Sequence, residues 1–548
     1  MHGRRDAYYV LSEGMIVEPP NPLAGGGGGG HPAAAAMLPP KVSPFKFGRM
    51  FGTCPKLSPA EGKAMFDKLI TLGLCMNDPA TYCQQPIDKG TDESDIPAGY
   101  TYLGQFITHE VTFDNTGHLL EVGMQPESLR SPQIDLDSLY GGVNGPGDKP
   151  ELYEQDRVHL KVGKTSRAPT PNEPFDNDLP RDKSNLENPR KALIGDERND
   201  ENLAVAQTHL AFIKFHNKVV DEIKKDGHYD DDLFECARKH VVRHFQWIIL
   251  YDYLPRLVDK HVLDCVMQHG LRWFKVDGAD GLFMPLEFSA AAFRIGHSMV
   301  RLSYEWNTLR SSDPLSRGPA SLLELFQQTG FSKSPEDKNF GGSQSEPISR
   351  LPSDWIIDWR RFYDFTPLKH VPAVLKLNKT SKLDTILNLR LNNVVGFPDT
   401  KLEKMQKAIT IRNLLRGYYL GLPTGEEIAE WMGETPLTHK QVADGPHQAL
   451  LSDPLFREKT PLWYYVLKEA DLNGGSRLGP VGSRIVAETL VGLIRKSPHS
   501  ILANPGWRPR FGPRAEGTEL KTFEMIDLLD FADVVDPLSR HFQSIYHQ

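Results

Sequence analysis

Apolar residues spaced three and four apart constrain this chain more than any other feature. Between residues 201 and 225 they fall at Leu203, Ala206, Leu210, Ile213, Val220 and Ile223. That spacing lays one stripe along one side of a helix, and the stripe needs a partner surface to bury it. The same periodicity predicts helices over 238–254, 287–301, 405–420, 461–470 and 481–495. Alternation with period two, the mark of a half-buried strand, is scarce. The expected fold class is mainly α: one large helical domain over residues 44–548 with long wrapping loops and little β structure.

Composition sets the limits around that domain. Residues 1–43 contain an unbroken glycine run at 25–30, alanines at 33–36 and Pro39-Pro40, which reads as a flexible Gly/Ala/Pro-rich arm rather than packed structure. No lysine followed by serine or threonine comes after the glycines, so they do not form a phosphate-binding loop. The polar segments 114–202, 311–358 and 497–520 are long for loops and are expected to wrap the surface or serve function. A formal charge of -8 argues against nucleic acid or anionic lipid as the main partner. No run approaches the about 20 apolar residues of a membrane span, and no apolar signal core of about 7–15 residues opens the chain. The expectation is a soluble protein, cytoplasmic or exported by a non-standard route. Cys54, Cys75, Cys83, Cys236 and Cys265 are odd in number and form no C-x-x-C pair. Reduced thiols are expected, although Cys75 and Cys83 could close a small loop.

Several polar residues stand where chemistry is possible. Gln105 and His109, four apart, share one face of a helix, and a neutral imidazole there could move a proton. His109-Glu110 does not start a zinc site of the H-E-x-x-H kind, because Phe113 occupies the second histidine position. Ser131, Asp135 and Asp137 present oxygens at a spacing that a looping chain could wrap around a hard cation, although a bare D-x-D is ordinarily a solvated turn. Pro146 denies the glycine-rich stretch 141–147 the strand-to-helix turn of a dinucleotide site. Arg198 lies in an acidic helix entrance and could simply pair with its neighbours. His209 and His216 on the following helix are iron ligands in principle. His297 follows a run of small residues that would let a planar group approach.

Read together, these segments resemble the animal-type heme peroxidases of the peroxidase–cyclooxygenase superfamily from about residue 95 to 495. Gly104-Gln-Phe-Ile-Thr-His-Glu110 resembles the distal motif, Gly195-Asp-Glu-Arg-Asn-Asp-Glu-Asn202 the catalytic-arginine element, and Phe293-Arg-Ile-Gly-His-Ser298 the proximal motif. The resemblance implies heme b, with His297 as the iron ligand, Asn413 as the acceptor for its other ring nitrogen, and Arg294 on the cofactor side. It also implies catalytic roles for His109, Arg198 and Gln105. Glu201 matches the position that forms a heme ester in some relatives. Thr108 replaces the aspartate of the other ester and has no carboxylate to form one. The acidic loop resembles the family's calcium loop, with Glu110, Ser131, Gln133 through its carbonyl, Asp135 and Asp137 as calcium ligands; Glu110 stands where relatives have aspartate. His209 and His216 take packing or hydrogen-bonding roles on this reading.

The implied activity is reduction of hydrogen peroxide at the expense of a small-molecule reductant or halide. Two alternatives stay open. A fatty-acid dioxygenase of the cyclooxygenase or α-dioxygenase type needs a radical-forming tyrosine. In cyclooxygenases that residue stands three positions before the proximal histidine, where this chain has Arg294, while Tyr304 and Tyr363 are available elsewhere. The second alternative is a heme-containing interaction or adhesion protein. A sequon at Asn378-Lys-Thr380 completes the candidate features.

Overall fold

The computed structural model describes residues 45–52, 59–83, 93–113, 127–128, 130–182, 184–185, 190–227, 232–277, 281–330, 349–374, 376–392, 408–457, 459–514 and 522–538. The proposed arm over 1–43 and Cys54 lie outside them. Among the described residues the helices of seven residues or more are α1 (Pro59–Asn77), α2 (Gly99–Val111), α3 (Leu203–Asp226), α4 (Leu233–Ile248), α5 (Lys260–His269), α6 (Ile409–Tyr419), α7 (Gly425–Met432), α8 (Leu462–Leu472), α9 (Pro480–Lys496) and α10 (Met525–Phe531). Strands are two to five residues long and form one three-stranded and two two-stranded sheets. The fold is mainly helical, as the periodicity predicts.

The longest helix shows why its ends fall where they do. Asn202 caps α3 by accepting from the Val205 amide, and Gly227 stops it in a left-handed conformation (φ 67°). Its apolar stripe packs on α2 and α4. Phe106 of α2 stacks on Phe212 of α3 with centroids 4.8 Å apart, and Phe245 of α4 closes the triangle at 5.7 and 5.3 Å. Three interlocked rings fix the height of α2 against the core.

Two helices run differently from the periodic pattern. The one expected over 238–254 continues beyond Ile248 as a π turn, Ile249–Tyr253, and then a short α turn, Leu254–Leu257. Pro255 has no N–H to give the carbonyl four residues back, so the regular ladder fails there. The segment 287–301 is not one helix: it folds as a π turn, Phe288–Ala292, followed by a 3-10 turn, Arg294–His297. Phe288 stacks on Phe293 at 4.5 Å, and Arg294 Nε donates to the Ser289 carbonyl at 2.9 Å. These contacts, with Gly296 a poor helix former, outweigh the local periodicity. The segment is wrapped by α6, α8 and α9. Strand Phe45–Gly48 pairs antiparallel with Glu127–Ser128 and parallel with Met284–Pro285, just before it. The carboxylate of Glu287 accepts from the Met50 and Phe51 amides, both at 3.1 Å, tying the segment to the first strand.

Two further expectations change. Cys75 and Cys83 form a disulfide, because the turn after α1 folds back and brings their Cα atoms to 5.6 Å, so these two are not reduced thiols. A disulfide favours an oxidising environment, which removes the cysteines as support for a reducing compartment. Asn378 of the sequon is buried and its amide donates to the carbonyls of Glu305 and Arg361 at 2.9 and 2.7 Å, so it presents no acceptor for a glycan. Among the described residues no helix is long and apolar enough to cross a membrane.

Candidate active site

Helix α2 is buried along its length except at Gln105 and Thr108, which are partly exposed. Such an opening on a core helix marks a gap in the packing. Gly104 is needed beside it, because a Cβ there would run into the Tyr253 hydroxyl. The Thr108 hydroxyl donates to the Gly104 carbonyl at 2.9 Å. Gln105 Nε2 donates to Glu201 Oε1, and Gln105 Oε1 accepts from Asn202 Nδ2 at 2.8 Å. The residue that caps α3 therefore also holds Gln105 in place.

His109 lies one turn further on and is buried. Its Nδ1 is 2.8 Å from Asn199 Oδ1. A carbonyl oxygen can only accept, so Nδ1 carries the proton and Nε2 is bare. Burial, helped by the Arg198 charge, pushes the ring's pKa down to about 3, so it is neutral. Nε2 lies 3.7 Å from Glu201 Oε1; with an uncharged ring this contact is not an ion pair.

Arg198 is fully buried. Its Nε and Nη2 pair with Asp196 at 2.9 and 2.6 Å, and Nη2 also donates to the His109 carbonyl at 2.6 Å. Nη1 has no hydrogen-bond partner among the described residues. A buried donor left so costs roughly 1–3 kcal/mol unless something fills the place. Burial alone would raise the Asp196 pKa, but Arg198 and then Arg130 hold it well below the usual carboxylate range.

Arg130 joins this pair to the acidic loop. It donates to Asp196 and, through Nη1 at 3.1 Å, to Asp137. Glu110, Asp135 and Asp137 are all buried, and oxygens of the three lie within 4.8 Å of one another. Glu110 spends its longer arm on the loop backbone: Oε1 accepts from the Asp135 amide at 3.1 Å and from the Leu136 amide, and Oε2 from the Ser138 amide at 3.2 Å. Ser131 Oγ accepts from the Gln133 amide at 3.2 Å in the same turn. The Gln133 side chain instead reaches the Lys496 carbonyl. Burial raises the pKa of all three carboxyls, Asp135 to about 7. Mutual repulsion adds to this for Glu110 and Asp135.

The second cluster surrounds His297, which is half-buried on its 3-10 turn beside α2. A Cβ added to the neighbouring Gly296 would meet nothing within 4 Å, so open space adjoins the histidine. Asn413 of α6 reaches His297 Nδ1 with its Nδ2 at 2.9 Å, while its Oδ1 accepts from Arg294 Nη1 at 3.0 Å. In this orientation Asn413 donates, so the proton of a neutral His297 sits on Nε2. The acceptor role that the family resemblance implies for Asn413 is therefore not the one drawn: it would need the opposite amide orientation, with Oδ1 toward an Nδ1–H and Nδ2 facing Arg294 Nη1.

Sequence and structure thus meet in two networks. One links Gln105, His109, Glu110, Ser131, Asp135, Asp137, Arg198 and Glu201; the other links Arg294, His297 and Asn413. The sequence does not single out Asn199, Asp196 or Arg130, whereas His209 takes the hydrogen-bonding role expected of it, on Asn199. Asn199 and Asp196 lie within the motif around Arg198, but nothing local says which side chains they meet. His216 bonds through both nitrogens, to Tyr140 Oη at 3.0 Å and to the Val158 carbonyl at 2.9 Å, which suits the structural role expected of it.

The helical fold places His109 and His297 on two packed elements. Residues 101–338 match the animal haem peroxidase family. It is 26% identical to Dual oxidase of Drosophila melanogaster over 313 residues, covering 57% of this chain and 17% of that protein. It is 28% identical to Heme peroxidase 2 of Caenorhabditis elegans over 346 residues, covering 61% and 42%. The chain therefore spans less than half the length of these relatives. Among solved structures it is similar to peroxidase A from Dictyostelium discoideum, with a TM-score of 0.55, 16% identity and coverage of 90% and 94%. It is also similar to a fatty acid alpha-dioxygenase of Oryza sativa, with a TM-score of 0.51, 12% identity and coverage of 79% and 74%. The family match contains His109, Arg198 and His297 but ends before Asn413.

Proposed function

We propose that this chain binds heme b between His297 and the open face of α2, and uses it to reduce hydrogen peroxide while oxidising a small-molecule reductant or halide. The residues fit such a group. A half-buried imidazole stands beside open space at Gly296, and Gln105, Thr108 and Glu201 keep partial exposure in otherwise buried surroundings. Heme, when bound, supplies the iron at which the O–O bond is cleaved and the oxidising equivalents are stored.

The observation that carries the reading is the bare Nε2 of a neutral His109. That atom takes a proton from the incoming peroxide and returns it to the departing oxygen. Arg198 contributes a fixed positive charge beside His109, and Gln105, held by Asn202 and Glu201, orients water, peroxide or halide. Arg294 and Glu201 would border heme when it is bound. Calcium would be held by Glu110, Asp135, Asp137, Ser131 and the Gln133 carbonyl, relieving the repulsion among three buried carboxylates. Its role is structural: through Arg130 and Asp196 the loop bears on Arg198.

The test is an absorption spectrum of the purified full-length protein loaded with heme, before and after peroxide. His297→Ala should lose the heme band and turnover together. Heme retained with an unaltered spectrum in that variant would overturn the reading. The fold likeness to an alpha-dioxygenase gives a second reading. Arg294, whose side chain binds Ser289 and Asn413, takes the place of a cyclooxygenase-type radical tyrosine, while the buried Tyr304 and Tyr363 remain the candidates for a radical site of the alpha-dioxygenase type. Oxygenated product from a fatty acid and oxygen without peroxide would favour that reading instead.

A further inference from the structure

The amide of Asn199 faces two buried histidines at once. Its Oδ1 lies 2.8 Å from His109 Nδ1, and its Nδ2 lies 3.0 Å from Nδ1 of His209, one helix onward. Both rings and the amide are essentially inaccessible to water. Oδ1 can only accept and Nδ2 can only donate, so one amide orientation fixes both tautomers. His109 carries its proton on Nδ1 and presents a bare Nε2, whereas His209 receives at Nδ1 and is protonated at Nε2. Turning the amide by half a rotation reverses both assignments together. His109 would then hold its proton on Nε2, beside Glu201 Oε1, and could not accept one from a substrate.

The present orientation leaves a trace. His209 Nε2 is buried without a hydrogen-bond partner among the described residues. The buried protonated nitrogen is an uncompensated donor, a feature that calls for an explanation in any native structure. It is the cost of the present amide orientation, since an acceptor at His209 Nδ1 forces the proton to Nε2. Burial pushes the pKa of His209 down to about 3, so it stays neutral and keeps its acceptor. Phe106 packs against it with centroids 5.9 Å apart, holding the ring in register with α2.

We propose that Asn199 and His209 are positioning residues for proton transfer at His109, with His209 selecting the Asn199 amide orientation that leaves His109 Nε2 bare. This rests on the reading of His109 as the proton carrier. The same third-residue control of tautomer and ring orientation operates wherever an imidazole serves as a base.

The test compares His209→Leu, His209→Gln, Asn199→Leu and Asn199→Asp in the heme-loaded full-length protein. Heme content and peroxide consumption are measured, together with ¹⁵N spectra of histidine-labelled protein in the diamagnetic ferrous carbon monoxide form. His109→Ala assigns the relevant resonances. Both leucine variants should retain heme but slow the peroxide step by about 10- to 100-fold, with the bare-nitrogen resonance of His109 moving from Nε2 or splitting between the two tautomers. His209→Gln restores an acceptor for Asn199 Nδ2, and Asn199→Asp restores an acceptor for His109 Nδ1, so each should recover rate and the Nε2-bare signature. Wild-type rate and tautomer in His209→Leu would overturn the proposal. If a leucine variant does not fold, the conservative variant at the same position decides: a His209→Gln or Asn199→Asp protein whose His109 is protonated at Nε2 also overturns it. If the wild type consumes no peroxide, the functional reading fails, while the tautomer spectra still judge the positioning claim.

Discussion

His109 and His297 are each held through Nδ1 by an asparagine, yet the two amides present opposite ends. Asn199 offers its oxygen to His109, whereas Asn413 offers its nitrogen to His297. A third residue pins each amide: His209 accepts from Asn199 Nδ2, and Arg294 donates to Asn413 Oδ1. The first arrangement leaves His109 Nε2 ready to accept a proton. The second keeps a proton on His297 Nε2 until the amide turns. The lesson is that the reactive nitrogen of a neutral imidazole is chosen two residues away, by whichever group occupies the far end of the amide.

The comparison can be broken from either side. His109→Ala should leave heme bound and lower the peroxide step by about 10²- to 10⁴-fold, the usual worth of a general acid–base group. Stopped-flow spectra at varied peroxide measure it, and a loss below tenfold would remove His109 from the chemistry. On the other side, Asn413→Leu should weaken heme retention by about 10- to 100-fold, as loss of a ligand's hydrogen-bond partner generally does. Asn413→Asp places only acceptors against His297 Nδ1 and should lower the heme midpoint potential in a redox titration. An unchanged potential would mean that the Asn413 amide does not govern His297.

Smaller effects test the surroundings of each histidine. Removing divalent cations with a chelator should lower the melting temperature, and Asp135→Asn should abolish that sensitivity; calorimetry with and without added calcium reads both. Near His297, burial pushes the pKa of Glu287 up to about 7, above its unfolded range. The folded protein thus binds this proton more tightly than the unfolded chain. Stability from Glu287 is fully present below about pH 4.3 and is lost as pH rises toward 7, by up to about 1.4 kcal/mol per pH unit. Glu287→Gln should flatten that part of the profile in denaturant titrations from pH 4.5 to 7.5. An identical slope in the variant would assign the loss to other groups.

Much of the scaffold could be read directly from the chain. The stripe on α3, its Asn202 cap and its Gly227 stop are local features, and a helix of that length declares itself through periodicity alone. The placement of Gln105 and His109 on one face of α2 follows from four-residue spacing in the same way. The 287–301 segment shows where such reasoning ends. Its apolar pattern suits a helix, but the stacking of Phe288 on Phe293 and the bond from Arg294 to Ser289 divide it into two turns. The Cys75–Cys83 bond depends likewise on how the chain folds back after α1.

The sequence by itself determined a mainly helical chain and the family it resembles, and it offered the two histidines, Arg198 and the acidic loop as candidates. Only the tertiary structure decided that Asn199 stands between His109 and His209, that Arg130 joins Asp196 to Asp137, and that Arg294 holds Asn413. Helical periodicity records which face of one segment is buried. Hydrogen-bond direction depends on atoms brought together from distant segments, such as Arg294 and Asn413, 119 residues apart, and no local pattern encodes which end of an amide will face a ring.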